Sequence, residues 1–167
     1  MNKEQIENLV EKIHSDLKLT EIPIPIKEVI SNKGIRIKMA PSKEFSGILL
    51  RKGEGALIGV NSTESPLRQR FTLAHELGHF LLHKNKDAFV DDVNYRNNDV
   101  GVVGDDKEQE ANAFAAAFLV PRKLLRVDIE KMAQNGVSEI DIGPLAKKYE
   151  VSKESMSYRL INLGLAQ

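Results

Sequence analysis

Three histidines and a glutamate fall within nine consecutive positions at the end of a largely apolar run, Phe71 to His83, which reads FTLAHELGHFLLH. A run of this kind belongs in a protein interior. Imidazoles and a carboxylate are costly to bury unless they are given partners. Any fold open to this chain must therefore bury the segment and supply something for its polar groups to hold. The preceding Ser-Thr-Glu-Ser-Pro, residues 62–66, reads as a loop and a helix start, so the spacing predicts a helix over 66–83.

Within that helix His75-Glu76-Leu77-Gly78-His79 is an H-E-x-x-H sequence. One turn separates i from i+4, so His75 and His79 project from one face. Two neutral imidazoles there can bind one Zn²⁺, and Glu76 beside them can take a proton from a water that the zinc acidifies. Gly78 costs about 1 kcal/mol relative to alanine in a helix interior, which calls for a packing reason. His83 is another i+4 step on, but it lies about 12 Å from His75 along a continuous helix axis. Zinc needs its ligands at roughly 2 Å. Unless the helix breaks after His79, His83 is instead a cation near the last carbonyls or a second-shell group behind the ligands.

The third ligand is then sought in DDKEQEANAFAAAFLVP, residues 105–121. Ala111, Phe114, Ala115, Phe118 and Leu119 form the apolar stripe of a helix predicted over 106–119. At about 100° per residue, Glu108 lies roughly 60° from the centre of that stripe, and Glu110 about 100° away on the opposite flank. Asn112 is one turn after Glu108, on its side. Glu108 is thus the expected third ligand, with Asn112 as a second-shell partner and Glu110 as the alternative ligand or a solvated first-turn acid. The alanines permit close approach of another helix.

The rest of the chain reads as an α+β domain. Helices are predicted over 3–18 and in a short stretch ended by Gly34, then a strand over 35–39. A β-hairpin follows around Lys52–Gly55, able to offer an edge strand to an extended peptide. Residues 84–106 read as a long loop or lid, in which Tyr95 is a weak candidate oxyanion stabiliser. A further helix is predicted over 122–134. With 167 residues, we expect a domain over 1–135 and a helical appendage over 136–167 packed on it.

Lys+Arg and Asp+Glu both number 24, and there is no cysteine. The chain therefore shows no bulk charge that demands nucleic acid, no disulfide framework and no thiolate metal site. The N-terminal segment is charged throughout, and the apolar run from Ala113 to Val120 is far too short to span a bilayer. The expectation is a soluble cytoplasmic protein with no membrane partner; the oligomeric state stays open.

The tail supports a rival reading. Leu145, Ala146, Tyr149, Val151, Met156 and Leu160 have helix-turn-helix spacing, with Ser152 capping a second helix to about Leu163. Lys147, Lys148, Lys153 and Arg159 could meet phosphates, and Ser155, Ser157 or Tyr158 base edges. The alternative is thus a DNA-binding regulator whose metal site is structural. Zero net charge weighs against it.

FTLAHELGHFLLH followed by EQEANAFAAAFLVP resembles the ImmA/IrrE family of zinc metallopeptidases, over about residues 5–125. The resemblance implies a minimal gluzincin-like fold with a small antiparallel or mixed sheet beside the active-site helix. It implies His75 and His79 as zinc ligands, Glu76 as general base and a glutamate of the second motif as third ligand. It also implies a protein substrate, a partner helix-turn-helix repressor whose cleavage relieves repression in a mobile element, phage or stress response. One departure, the AAAFLVP ending, concerns core packing.

Overall fold

The computed structural model describes residues 1–53, 55–84, 88–92, 106–134 and 140–166. Among them the chain runs α1 (Lys3–Asp16), α2 (Ile26–Asn32), β1 (Ile35–Ala40), β2 (Phe45–Lys52), β3 (Gly55–Asn61), α3 (Pro66–Leu82), β4 (Ala88–Asp92), α4 (Asp106–Leu119), α5 (Arg122–Gln134), α6 (Ile142–Tyr149) and α7 (Lys153–Asn162). The fold is α+β, with seven helices and a small mixed sheet among the described residues. The residues gather into two compact units: Pro25–Ala115, and Met1–Ile24 together with Ala116–Gln167.

The sheet lies in the first unit, with strand order β1-β3-β2-β4. β1 runs parallel to β3 from Ile35↔Ala56 to Ala40↔Asn61. β2 and β3 form the hairpin, closing at Lys52↔Gly55, with Gly53 at φ +58 in its turn. Alternation divides the strands. Ile35, Leu49, Ile58 and Val60 are buried in the face that packs on α2 and α3, while the cross-strand pair Leu50–Leu57 turns the other way. Two expectations are corrected here. The hairpin offers no free edge, because β2 pairs with both β3 and β4, and β3 with both β1 and β2. And the segment read as a continuous loop over 84–106 contains β4, antiparallel to β2. Residues 93–105, including Tyr95, lie outside the described residues.

α3 starts where Ser65 accepts a hydrogen bond from the Arg68 amide and Pro66 takes a first-turn position, where a missing N–H costs nothing. At its other end Arg51 of β2 donates from Nη2 to the carbonyls of His79 (3.2 Å), Phe80 (2.8 Å) and His83 (3.4 Å). A guanidinium there meets both the open acceptors and the negative end of the helix dipole. α4 crosses close by, and Gly78 is what lets it. A Cβ at that position would stand 3.2 Å from Cβ of Phe114 and 3.3 Å from Cα of Ala111.

The second unit is helical. Asn2 and Gln5 form a capping box at the start of α1. Arg159 of α7, buried, donates to the carbonyl of Val120 at 2.9 Å and pairs with Glu7. Arg122 of α5 reaches Glu4, Asn8 and Glu11. Tyr149 of α6 donates to Asp128 of α5 at 2.8 Å. α6 and α7 join through Glu150, at φ 52, and the Ser152 cap. No helix of the described residues is long and apolar enough to cross a membrane.

Candidate metal centre

The buried face of α3 brings His75 and His79 together, their Nε2 atoms 3.0 Å apart. Both are buried, as is Glu76 between them in sequence. From the first turn of α4, Glu108 places Oε2 3.2 Å from Nε2 of His75 and Oε1 3.2 Å from Nε2 of His79. These three residues form the group whose ligand atoms converge closely enough to hold one ion. Glu110 does not enter it. Its Oε2 lies 2.9 Å from Nε2 of His83 instead, because two residues along a helix turn a side chain by about 200°.

The remaining contacts order the rings. Oδ1 of Asn112 lies 3.0 Å from Nδ1 of His75. A carbonyl oxygen only accepts, so the contact calls for a hydrogen on Nδ1 of His75, which in the neutral ring leaves Nε2 as the nitrogen able to bind an ion. Nδ1 of His79 lies 2.9 Å from Nδ1 of His83. Phe89 of β4 stacks on His79, with ring centroids 4.1 Å apart at 20°. Burial holds His79 below the ordinary imidazole range, although Glu108 pulls the other way, so the ring is neutral at neutral pH.

The donor set suits a divalent ion. The Glu108 carboxylate lies 3.2 Å from Nε2 of His75 and of His79, and a cation between them would be met by the carboxylate and by the lone pairs of both neutral rings. Tetrahedral zinc with bonds of about 2 Å spaces its ligand atoms roughly 3.3 Å apart, close to the separations here.

His83 is not the cation at the end of α3. That place belongs to Arg51, while His83 is buried, its ring between His79 and Glu110. Sequence reasoning missed Arg51 and Phe89. The one local hint for Phe89 was the apolar Ala-Phe-Val at 88–90 in an otherwise polar segment.

The profile of a peptidase family described as the IrrE N-terminal-like domain matches residues 30–161. The radiation response metalloprotease IrrE of Deinococcus radiodurans is 36% identical over 111 residues, covering 64% of this chain and 31% of that protein. The protein of the same name from Deinococcus deserti is 34% identical over 132 residues, covering 76% of this chain and 43% of that one. The chain thus spans less than half the length of these curated relatives. A solved structure described as a Mycobacterium tuberculosis transcriptional regulator is similar in fold, with TM-score 0.57 and 18% identity over 93% of this chain and 46% of that one.

Proposed function

This chain belongs to the IrrE N-terminal-like peptidase family, whose profile covers most of its length, and from that premise we propose that it is a zinc-dependent endopeptidase whose substrate is a partner helix-turn-helix repressor. The observation that carries the reading is the convergence of His75, His79 and Glu108 next to a buried carboxylate, Glu76. The family and the donor set together imply a metal ion, and zinc is the ion that two imidazoles and a carboxylate suit best.

In this reading His75, His79 and Glu108 hold the zinc. When bound, it polarises the scissile carbonyl and brings a water's pKa towards neutrality. Glu76 takes a proton from the attacking water and passes it to the leaving amine. Asn112 keeps His75 in its ligand tautomer. The backbone of β4 is one edge of the sheet among the described residues, and an extended peptide pairing there would lie beside Phe89 and the imidazole it covers. Residues 1–135 carry the peptidase and 136–167 form its helical appendage. The protein acts in the cytoplasm, where a repressor sits on DNA.

The regulator reading draws on the helix–turn–helix of α6 and α7. Its electrostatics do not favour DNA: on the exposed face of α7, Lys153 is followed by Glu154, and Lys148 is paired with Asp128. The deciding experiment incubates the purified chain with the repressor encoded beside its gene, with and without a chelator. Cleavage that the chelator abolishes and Zn²⁺ restores supports the proposal. An intact repressor in every arm, with a salt-sensitive DNA shift by the chain itself, overturns it in favour of the regulator.

A further inference from the structure

Among the described residues the sheet has β4 at one edge and β1 at the other, and β1 pairs with β3 alone. Alternate N–H and C=O groups of β1 therefore point outward, unused by the sheet. The side chains of β1 divide between the two faces. Ile35, Ile37 and Met39 lie in register with Ala56, Ile58 and Val60, on the face that packs on α2 and α3. Burial fades along that row: Ile35 is buried, Ile37 is half-buried and Met39 is 39% exposed. Arg36 and Lys38 stand beside Leu57 and Gly59 on the other face, both exposed. They belong to a wider local imbalance. From Ser31 to Lys43 the chain carries Lys33, Arg36, Lys38 and Lys43 and no acidic residue, although its charges balance overall. All of these cations are exposed, and none has a salt bridge or a side-chain hydrogen bond among the described residues.

We propose that the β1 edge docks an extended segment of a protein partner in which acidic and apolar residues alternate. Residues paired across neighbouring strands share a face, whichever way the strands run. An added strand would therefore set one row of its side chains beside Arg36 and Lys38 and the other beside Ile37 and Met39. Carboxylates fit the first row, because opposite charges stabilise a cross-strand pair and like charges destabilise it. Apolar groups fit the second row and would complete the burial of Ile37 and Met39. Main-chain hydrogen bonds supply the affinity in this mode of recognition, and the alternate side chains supply the choice. A second copy of β1 does not meet the requirement. Antiparallel copies paired at Ile37 set Arg36 opposite Lys38, and a slip of one residue sets the cations opposite isoleucines. Basic residues guard an edge against pairing with itself; here they exclude this chain's own strand and admit an acidic one. Nucleic acid fits less well, since Ile35–Ala40 holds no aromatic ring on which a base could stack. The proposal goes beyond the peptidase reading and stands without it, because β1 lies at the edge of the sheet opposite β4.

The test uses the full chain and capped synthetic peptides of equal length. One alternates glutamate and valine, one has the same composition with all its glutamates first, and one alternates lysine and valine. Binding is followed by NMR titration and located by amide hydrogen exchange, with and without a chelator so that cleavage of a probe is not mistaken for release. The alternating acidic peptide is expected to protect amides of β1 and to bind at least roughly tenfold more tightly than either of the others. Its affinity falls as salt is raised. Arg36→Glu combined with Lys38→Glu changes two exposed positions and leaves the core intact. In that variant the preference reverses, and the lysine peptide binds. Equal binding of the two acidic peptides overturns the proposal, because the cations would then form a charge patch without strand pairing. So does protection confined to β4, a double variant that keeps the wild-type preference, or no binding of the alternating acidic peptide at millimolar concentration.

Discussion

The Glu76 carboxylate occupies the space that a side chain on Gly47 would need. A Cβ built on Gly47 would lie 2.5 Å from Oε1 of Glu76 and would also collide with the Thr72 methyl. Gly47 is the third residue of β2, beside a bulge in the β2–β4 pairing, and the sheet comes down on α3 at that point. Glycine is therefore required by close approach rather than by backbone torsion. Gly47→Ala should push Glu76 from its place while leaving His75, His79 and Glu108 together. We expect a stability loss of ~1–3 kcal/mol from overpacking, with catalytic turnover falling more than tenfold and zinc affinity nearly unchanged. Parallel turnover and zinc titrations check this. An affinity loss as large as the activity loss would show that the clash is taken up by the histidines.

Glu76→Gln is nearly isosteric and cannot accept the proton. It should bind zinc like the wild type, since Glu76 is not among the converging ligand atoms, and lose roughly 10²–10⁴-fold in turnover. Activity within a few-fold of wild type would remove Glu76 from the proton transfer.

Glu108→Ala takes away the carboxylate that faces both imidazoles. Glu110→Ala takes away a partner of His83, not one of the converging ligand atoms. Both should weaken zinc binding, and Glu108→Ala by at least an order of magnitude more, because losing a ligand exceeds the roughly 10–100-fold typical of an outer partner. Metal content after dialysis against a weak chelator gives the ranking, and the opposite order would make Glu110 the ligand.

Helical periods account for what could be read in advance. His75, His79, Glu108 and Asn112 sit on long, strongly periodic segments, so a count of residues per turn already places them on faces that can meet. The glycine cost at Gly78 likewise announced a close packing, which Phe114 and Ala111 supply. β4 could not be read the same way. Its apolar stretch is three residues long in a segment rich in Asp and Asn, and it exists because β2 has a second edge to pair. Arg51 was opaque for a related reason. On β2 it looks like any polar residue at the end of a strand, and its acceptors at the end of α3 lie about thirty residues further on. Geometry along one helix excluded His83 from the ligand set, but its contact with Glu110 depends on how α3 and α4 cross.

His14 gives the helical unit a pH dependence of its own. The ring is buried and packs edge-on against Phe118 at 4.7 Å. Its Nε2 has no hydrogen-bond partner among the described residues. Burial lowers its pKa from 6.5 to about 4, outweighing a hydrogen bond to the Phe118 backbone and the nearby Glu11. The unfolded chain binds the His14 proton more readily than the folded one, so stability rises with pH across this range. Above about pH 6.5 both states are neutral at this residue and no penalty applies. As pH falls from 6.5 towards 4 the unfolded state gains protons first, and stability is lost until both states are charged. A shift of that size corresponds to about 3 kcal/mol. Urea unfolding of the metal-free chain at steps between pH 7.5 and about 4 should show the decline. His14→Leu should flatten it, leaving only the slope contributed by carboxylates. A slope unchanged by His14→Leu would mean that the ring is protonated, and accommodated, in the folded protein.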